Sequence, residues 1–355
     1  MKSAPALLTG LTVLLLVPAL PSEAASLNFD RLYVFGDSLS DPGNLFDLSA
    51  GTFPPPPYVD GRTSNGPVWV EYLADELGLS PARILAAQAN PLSASQGINF
   101  AIAGANTDDT NSNDDNPLKP AGSPALPGVA TELGAYQSFI NAAGPSATED
   151  ALYIYWAGAN DYLGGGQTNP QIPLTNISNA LNDLYASGAR NFLVANLPDL
   201  GNIPLGQAIA PDALSALTAA HNQGLTTVLN QFELAHRDIQ VVPFDVATVF
   251  TQVQQNPGAF GFTQADVPCF TLAQLADNTI SDPATLAACG ETSLFWDDLH
   301  PTTKGHQIIA AQALLALEAS QPQPPQAVPE AGGAIASFLA LVGFVGRRRR
   351  DLKAA

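Results

Sequence analysis

One serine in this chain stands where a nucleophile is useful. In RLYVFGDSLSDPGN, residues 31–44, an apolar run from Leu32 to Phe35 stops at Gly36, and Ser38 follows Asp37. A serine hydroxyl reacts poorly alone. It needs a base to take its proton, a partner to orient that base, and donors for the oxyanion that develops. Only four histidines are available as the base: His221, His236, His300 and His306. His221 and His236 fall in a long helical pattern among ordinary surface residues and read as structural. His300 lies in SLFWDDLHPTTKGHQII, with Asp297 three residues before it. One turn can bring that carboxylate to the Nδ1 proton of His300 and leave Nε2 for Ser38. Asp298 lies on the opposite side in most local geometries, and His306 reads as a capping or packing residue. Phe295 and Trp296 are apolar and can exclude water. The chemistry this set could do is acyl transfer through a serine intermediate.

These residues need a scaffold that gathers them. Strand-like runs recur at Leu32–Phe35, Ile98–Ala101, Leu152–Ala157, Asn191–Ala195 and Ile239–Phe244. Helical patterns occupy Val68–Leu77, Gly134–Asn141, Ile177–Ser187, Leu214–His236 and Lys304–Ala319. Strands alternating with helices predict an α/β fold, a parallel sheet covered on both faces. Ligands of such sheets bind at the carboxyl ends of the strands, where strand order reverses. Ser38 sits at that end of the first strand. Asp37 is expected to cap the following turn or bond across the loops, and Asp41 and Asn44 to shape the turn. The proline-stiffened loop TFPPPPYVDGRTSNGPVW is expected to wall the crevice or to serve as a rigid connection. Residues 106–127 read as a solvated polar loop, since DTNSNDDN lacks the glycine and glutamate of a calcium loop.

Four blocks together resemble the GDSL, or SGNH, hydrolase family: FGDSLSDPGN, GINFAIAGANT, YWAGANDY and FWDDLHPT, in that order. GRTSNGPVWVEYLA is similar to its secreted esterase, lipase and phospholipase-like branch. The resemblance implies a three-layer α/β/α sandwich with a flavodoxin-like sheet whose first strand lies between the second and third. It implies Ser38 as nucleophile, His300 as base and Asp297 as its orienter. The oxyanion hole would comprise the N–H groups of Ser38 and Gly104 and the amide of Asn160, with Gly158 and Asp161 in the same block. Ala103 departs from the pattern, which often has a second glycine there. The implied activity is hydrolysis of carboxylic esters, with acyl lipids as substrates and no cofactor or metal. Removal of acetyl groups from polysaccharide by the same site, and a non-catalytic surface role, are the competing readings. No G-x-S-x-G elbow is present, which excludes the α/β-hydrolase pattern.

Both ends read as address labels. Residues 1–25 have the charge, apolar core and small-residue cleavage site of a signal peptide. At the other end a Pro/Gln-rich linker leads to Val328-Pro329-Glu330, an apolar stretch and four arginines, Arg347 to Arg350. That order resembles the PEP-CTERM sorting signal of Gram-negative bacteria; an ordinary membrane anchor is the alternative. The resemblance implies export to the cell surface or beyond, transient membrane contact before processing, and association with extracellular polysaccharide. Between the labels, residues 26–320 suffice for one domain. Without residues 1–25 and 331–355 the chain keeps 7 Lys+Arg against 30 Asp+Glu, a net charge near −23. Such a field repels nucleic acid. Cys269 and Cys289, the only cysteines, are expected to form a disulfide after export; their spacing does not suit zinc.

Overall fold

The computed structural model describes residues 27–143 and 150–321. Both address-label segments lie outside them. Six strands form one sheet: β1 (Arg31–Gly36), β2 (Ala82–Arg83), β3 (Gly97–Asn99), β4 (Ala151–Trp156), β5 (Asn191–Ala195) and β6 (Gln240–Phe244). Every pairing is parallel, in the order β2-β3-β1-β4-β5-β6. The helices are α1 (Asn44–Leu48), α2 (Trp69–Leu77), α3 (Ile84–Ala89), α4 (Val129–Ala143), α5 (Ala159–Leu163) and α6 (Gln171–Ala186), then α7 (Pro204–Ile209), α8 (Pro211–Ala235), α9 (Val246–Gln255), α10 (Leu272–Ala276), α11 (Pro283–Gly290) and α12 (Thr303–Ser320).

Side-chain alternation on the strands explains the three layers. Leu32 and Val34 of β1, with Leu152, Ile154 and Trp156 of β4, point to one face, where α2, α9 and α12 cover them. Tyr33, Phe35, Tyr153 and Tyr155 point to the other, under α4, α6 and α8. The central strands are buried on both sides, so they appear as continuous apolar runs. Aromatic edges close the layers: Trp69 meets Trp156 at 5.6 Å, and Tyr136 meets Phe35 at 5.4 Å.

The five expected strands are present, with β1, β3 and β4 each beginning a residue earlier, and β6 a residue later, than the apolar pattern suggested. The first strand does lie between the expected second and third. Strand β2 went unread because two residues carry no periodicity. Helix α4 begins at Val129, five residues before the expected start, and α1, α3, α5, α7, α9, α10 and α11 match none of the expected helical patterns. They are short or lie where turn residues interrupt the apolar pattern.

Strand order reverses at β1, so the loops after β1, β3 and β4 share one end of the sheet. Gly36 ends β1 at a positive φ of 150°, and a Cβ there would collide with the Trp156 carbonyl of β4. Helix α4 fastens two of these loops with one buried side chain. Glu132 accepts from the Gly36 N–H at 3.0 Å and from the Ile102 N–H at 3.1 Å. Burial pushes its carboxyl well above the usual range. A glutamine here must turn its amide nitrogen toward one of two backbone donors. Glu132→Gln should therefore cost about 1–3 kcal/mol, read as a lower urea midpoint with the fold retained. An unchanged midpoint would show that the two N–H groups do not depend on the carboxylate.

Candidate active site

Ser38 sits two residues past the end of β1 and is 5% exposed. Its Oγ lies 2.9 Å from His300 Nε2, across 262 residues of sequence. His300 Nδ1 lies 2.7 Å from Asp297 Oδ2. Asp297 Oδ1 accepts from the backbone N–H groups of Leu299 and His300 at 2.7 and 2.6 Å. The three side chains thus form one continuous hydrogen-bonded run, with the carboxylate fully buried.

Their protonation follows from the surroundings. Burial pushes Asp297 upward, but the adjoining His300 and the hydrogen bonds outweigh it, so its carboxyl falls below the ordinary range. Burial pushes His300 downward, and the Asp297 charge beside it wins, so the imidazole titrates above its usual 6.5. A Tyr58 hydroxyl also reaches Asp297.

Ser38, Asn160 and His300 line one small pocket. Its walls are mostly apolar: Leu163, Leu200, Ile203, Phe250 and Leu299, with a cavity of about 20 Å³. Gly104 is not among the lining residues. It adopts a φ of +85°, and a Cβ would collide with the amides of Asn111 and Asn113. Asn160 approaches this loop and donates to the Ala105 carbonyl at 3.1 Å. That bond uses one of the two amide hydrogens. The Ser38 and Gly104 N–H groups have no acceptor among the described residues.

Residues that the sequence left as turn shapers hold these loops together. Asp41 accepts from the N–H groups of Gly43 at 2.7 Å, Leu45 at 3.1 Å and Ala103 at 2.8 Å. Asn44 donates to the carbonyls of Asn99 and Ala101, both at 2.9 Å. Asp161 accepts from the Thr107 N–H at 3.0 Å and its hydroxyl at 2.6 Å. Asp37 accepts from the Leu39 N–H at 3.1 Å, and burial lifts its carboxyl to about 7. Asp298 does point elsewhere, accepting from Leu272 N–H at 3.3 Å.

Two expectations need correction. His221 is not among surface residues: it is fully buried on α8, its Nδ1 lies 2.8 Å from the Tyr162 hydroxyl, and its ring backs onto Gly158. Burial lowers it to about 4, so it stays neutral beneath the turn that carries Asn160. The signal was available, since Leu214, Thr218, His221, Leu225 and Leu229 fall on one helical stripe. Nor is residues 106–127 a wholly solvated loop. Asn106, Thr107 and Asn111 are buried, and Asn111 donates to the Ala103 and Pro127 carbonyls. His306 is buried on α12 and lowered by burial to about 3; His236 is half-buried and 3.0 Å from Asn182 Oδ1.

The disulfide Cys269–Cys289 closes a segment that adjoins the site. Cys269 and Phe270 donate to the carbonyls of Phe295 and Trp296, just before Asp297.

Comparison with known proteins covers the stretch of chain that contains these residues. The model of the GDSL-like lipase/acylhydrolase family matches residues 32–313. A phosphatidylcholine-sterol acyltransferase of Aeromonas hydrophila is 30% identical over 346 residues, covering 86% of this chain and 94% of that protein. The thermolabile hemolysin of Vibrio parahaemolyticus is 27% identical over 297 residues, covering 80% of this chain but only 63% of the hemolysin. A GDSL esterase/lipase of Arabidopsis thaliana is 24% identical over 327 residues, 80% of this chain and 88% of its own.

A base that must be neutral to accept a proton sets the acid side of a pH profile. With His300 raised, any reaction that uses it should fade as pH falls through a value above 6.5. A kcat/KM profile against pH checks this. An acid limb below 6.5 would contradict the geometry.

Proposed function

Because the chain belongs to the GDSL-like lipase/acylhydrolase family, we propose that it is a serine esterase acting on carboxylic esters. Family membership assigns it to hydrolases or acyltransferases; the finer reading rests on one observation. Ser38, His300 and Asp297 form an unbroken hydrogen-bonded run that opens onto a pocket.

In this reading Ser38 Oγ attacks the ester carbonyl carbon while His300 Nε2 takes its proton. The imidazolium is stabilised by Asp297. His300 then protonates the alkoxide oxygen as the C–O bond breaks, and the alcohol leaves. Water enters, gives a proton to His300 and attacks the acyl-enzyme. His300 returns the proton to Ser38 and the carboxylic acid departs. An alcohol in place of that water would make the same site an acyltransferase, the activity in the name of the Aeromonas relative. The oxyanion is received by the N–H groups of Ser38 and Gly104 and by the second amide hydrogen of Asn160.

Acyl lipids are the first substrate class, supported by the apolar pocket walls. A second reading, removal of acetyl groups from polysaccharide, is favoured by the pocket's size. The cavity beside Ser38 is about 20 Å³ and opens to solvent, which suits a small acyl group. One experiment tests the reaction and separates these readings. Nitrophenyl esters from acetate to palmitate, acetylated xylan and phosphatidylcholine are offered to the wild type and to folded Ser38→Ala and Asn160→Ala. Ser38→Ala should be inactive. Asn160→Ala should lose roughly 10²–10³ in kcat with little change in KM. Turnover by Ser38→Ala would sink the proposal. Preference for acetate and xylan over long esters would favour the second reading.

We also propose that the enzyme works outside the cytoplasm of a Gram-negative cell. The apolar residues near the start, the arginine cluster near the end and the disulfide support this. Mass spectrometry of the surface-bound or secreted protein should find both end segments removed. A product retaining both would contradict the proposal.

A further inference from the structure

Asp297 has four donors, and one comes from far away in the chain. Tyr58, 239 residues earlier, donates its hydroxyl to Asp297 Oδ2 at 2.5 Å. That is the oxygen facing His300 Nδ1 at 2.7 Å. The two backbone donors, from Leu299 and His300, both go to Oδ1. Tyr58 and His300 therefore share one oxygen.

The phenol is held in place independently of that bond. Its ring meets Phe270 edge-on at 5.8 Å, and Phe270 meets Trp296 at 5.5 Å. Its loop, between α1 and α2, is tied to both halves of the site. The Thr63 hydroxyl donates to the Ser38 carbonyl at 3.1 Å, and the Ser64 hydroxyl to the Pro301 carbonyl at 2.8 Å. Val59 donates to the Ser64 carbonyl at 3.0 Å. The loop expected to wall the crevice or to serve as a rigid connection is a clamp between the nucleophile turn and the histidine turn.

We infer that Tyr58 is a positioning residue for the proposed reaction, one that fixes the Asp297 carboxylate and limits its pull on His300. This rests on reading Ser38, His300 and Asp297 as the reacting set. The physical argument is the sharing of Oδ2. A neutral donor on that oxygen takes up part of its negative charge. Without it, more of that charge falls on the His300 Nδ1 proton. The imidazole then holds its second proton more tightly and gives it up less readily to the leaving alcohol. Tyr58 can only donate here, because burial and the Asp297 charge push its own titration well above the ordinary range.

Other groups face the histidine. Asp37 approaches from the nucleophile turn, Asp298 from its own turn and His306 from α12; Asp161 in turn faces Asp37. Altering any of the three carboxyls changes a charge. Removing the Tyr58 hydroxyl removes a donor and no charge, so its effect can be separated from theirs.

The test compares wild type, Tyr58→Phe and Ser38→Ala, with two readouts. The first is the pH profile of kcat and KM on a nitrophenyl ester. The second is the titration of the His300 ring by nitrogen NMR, which needs no activity. Tyr58→Phe keeps the ring against Phe270. It should lower kcat roughly tenfold, by analogy with the lower end of what outer-shell partners of metal ligands cost, with KM little changed. Both the acid limb and the His300 titration should move to higher pH. A merely structural Tyr58 would lower thermal stability and leave both titrations in place, which would overturn the inference. The wild type supplies a measurement that needs no variant: the Tyr58 hydroxyl proton should exchange slowly with solvent, and rapid exchange would also overturn it. Activity in Ser38→Ala would sink the esterase reading instead, while the His300 titration would still decide the role of Tyr58.

Discussion

Asp41 accepts hydrogen bonds from the backbone of its own turn and from Ala103, beyond β3. The rest of the site depends on bonds of this kind. Loops leaving the carboxyl ends of parallel strands have no neighbouring strand to pair with, so their N–H groups need other acceptors. Here buried carboxylates supply them. Glu132 joins the end of β1 to the segment after β3, and Asp161 joins the Asn160 turn to Thr107. Asp297 does the same for the turn that contains His300. Each oxygen fixes a backbone position that apolar packing, being non-directional, could not specify.

The same device sets the electrostatics. Asp37, Asp41, Glu132, Asp161 and Asp298 are all pushed upward, each chiefly by burial. Asp297 alone of the site carboxyls is driven down, because a cation can form beside it. The Asp297 charge favours an imidazolium at His300, and burial opposes an oxyanion at the substrate. Donors aimed at that oxyanion then matter more than they would in water. The N–H groups of Ser38 and Gly104 and the second hydrogen of the Asn160 amide, which meet no acceptor among the described residues, suit that need.

A second constraint acts across the chain. Ser38 and His300 lie 262 residues apart, and the sheet alone does not fix their separation. The loop bearing Tyr58, Thr63 and Ser64 touches both turns. The disulfide-closed segment touches the residues before Asp297. Reactive geometry here depends on elements that hold none of the reacting atoms.

The sequence by itself determined the layers and the residues of the candidate site. Alternating strands and helices required a covered parallel sheet, and four short blocks singled out Ser38, Gly104, Asn160, Asp297 and His300. These were legible because burial on both faces leaves long apolar runs and because Asp297 and His300 are one turn apart. Only the tertiary structure decided what holds them. Glu132 reads in sequence as an ordinary helical acid and Tyr58 as one residue of a proline-rich loop. His221 could have been found from its helical stripe, but its contact with Gly158 could not. Their roles come from contacts between residues tens to hundreds of positions apart. Periodicity records which face of an element is buried; it does not record which distant polar group meets it there.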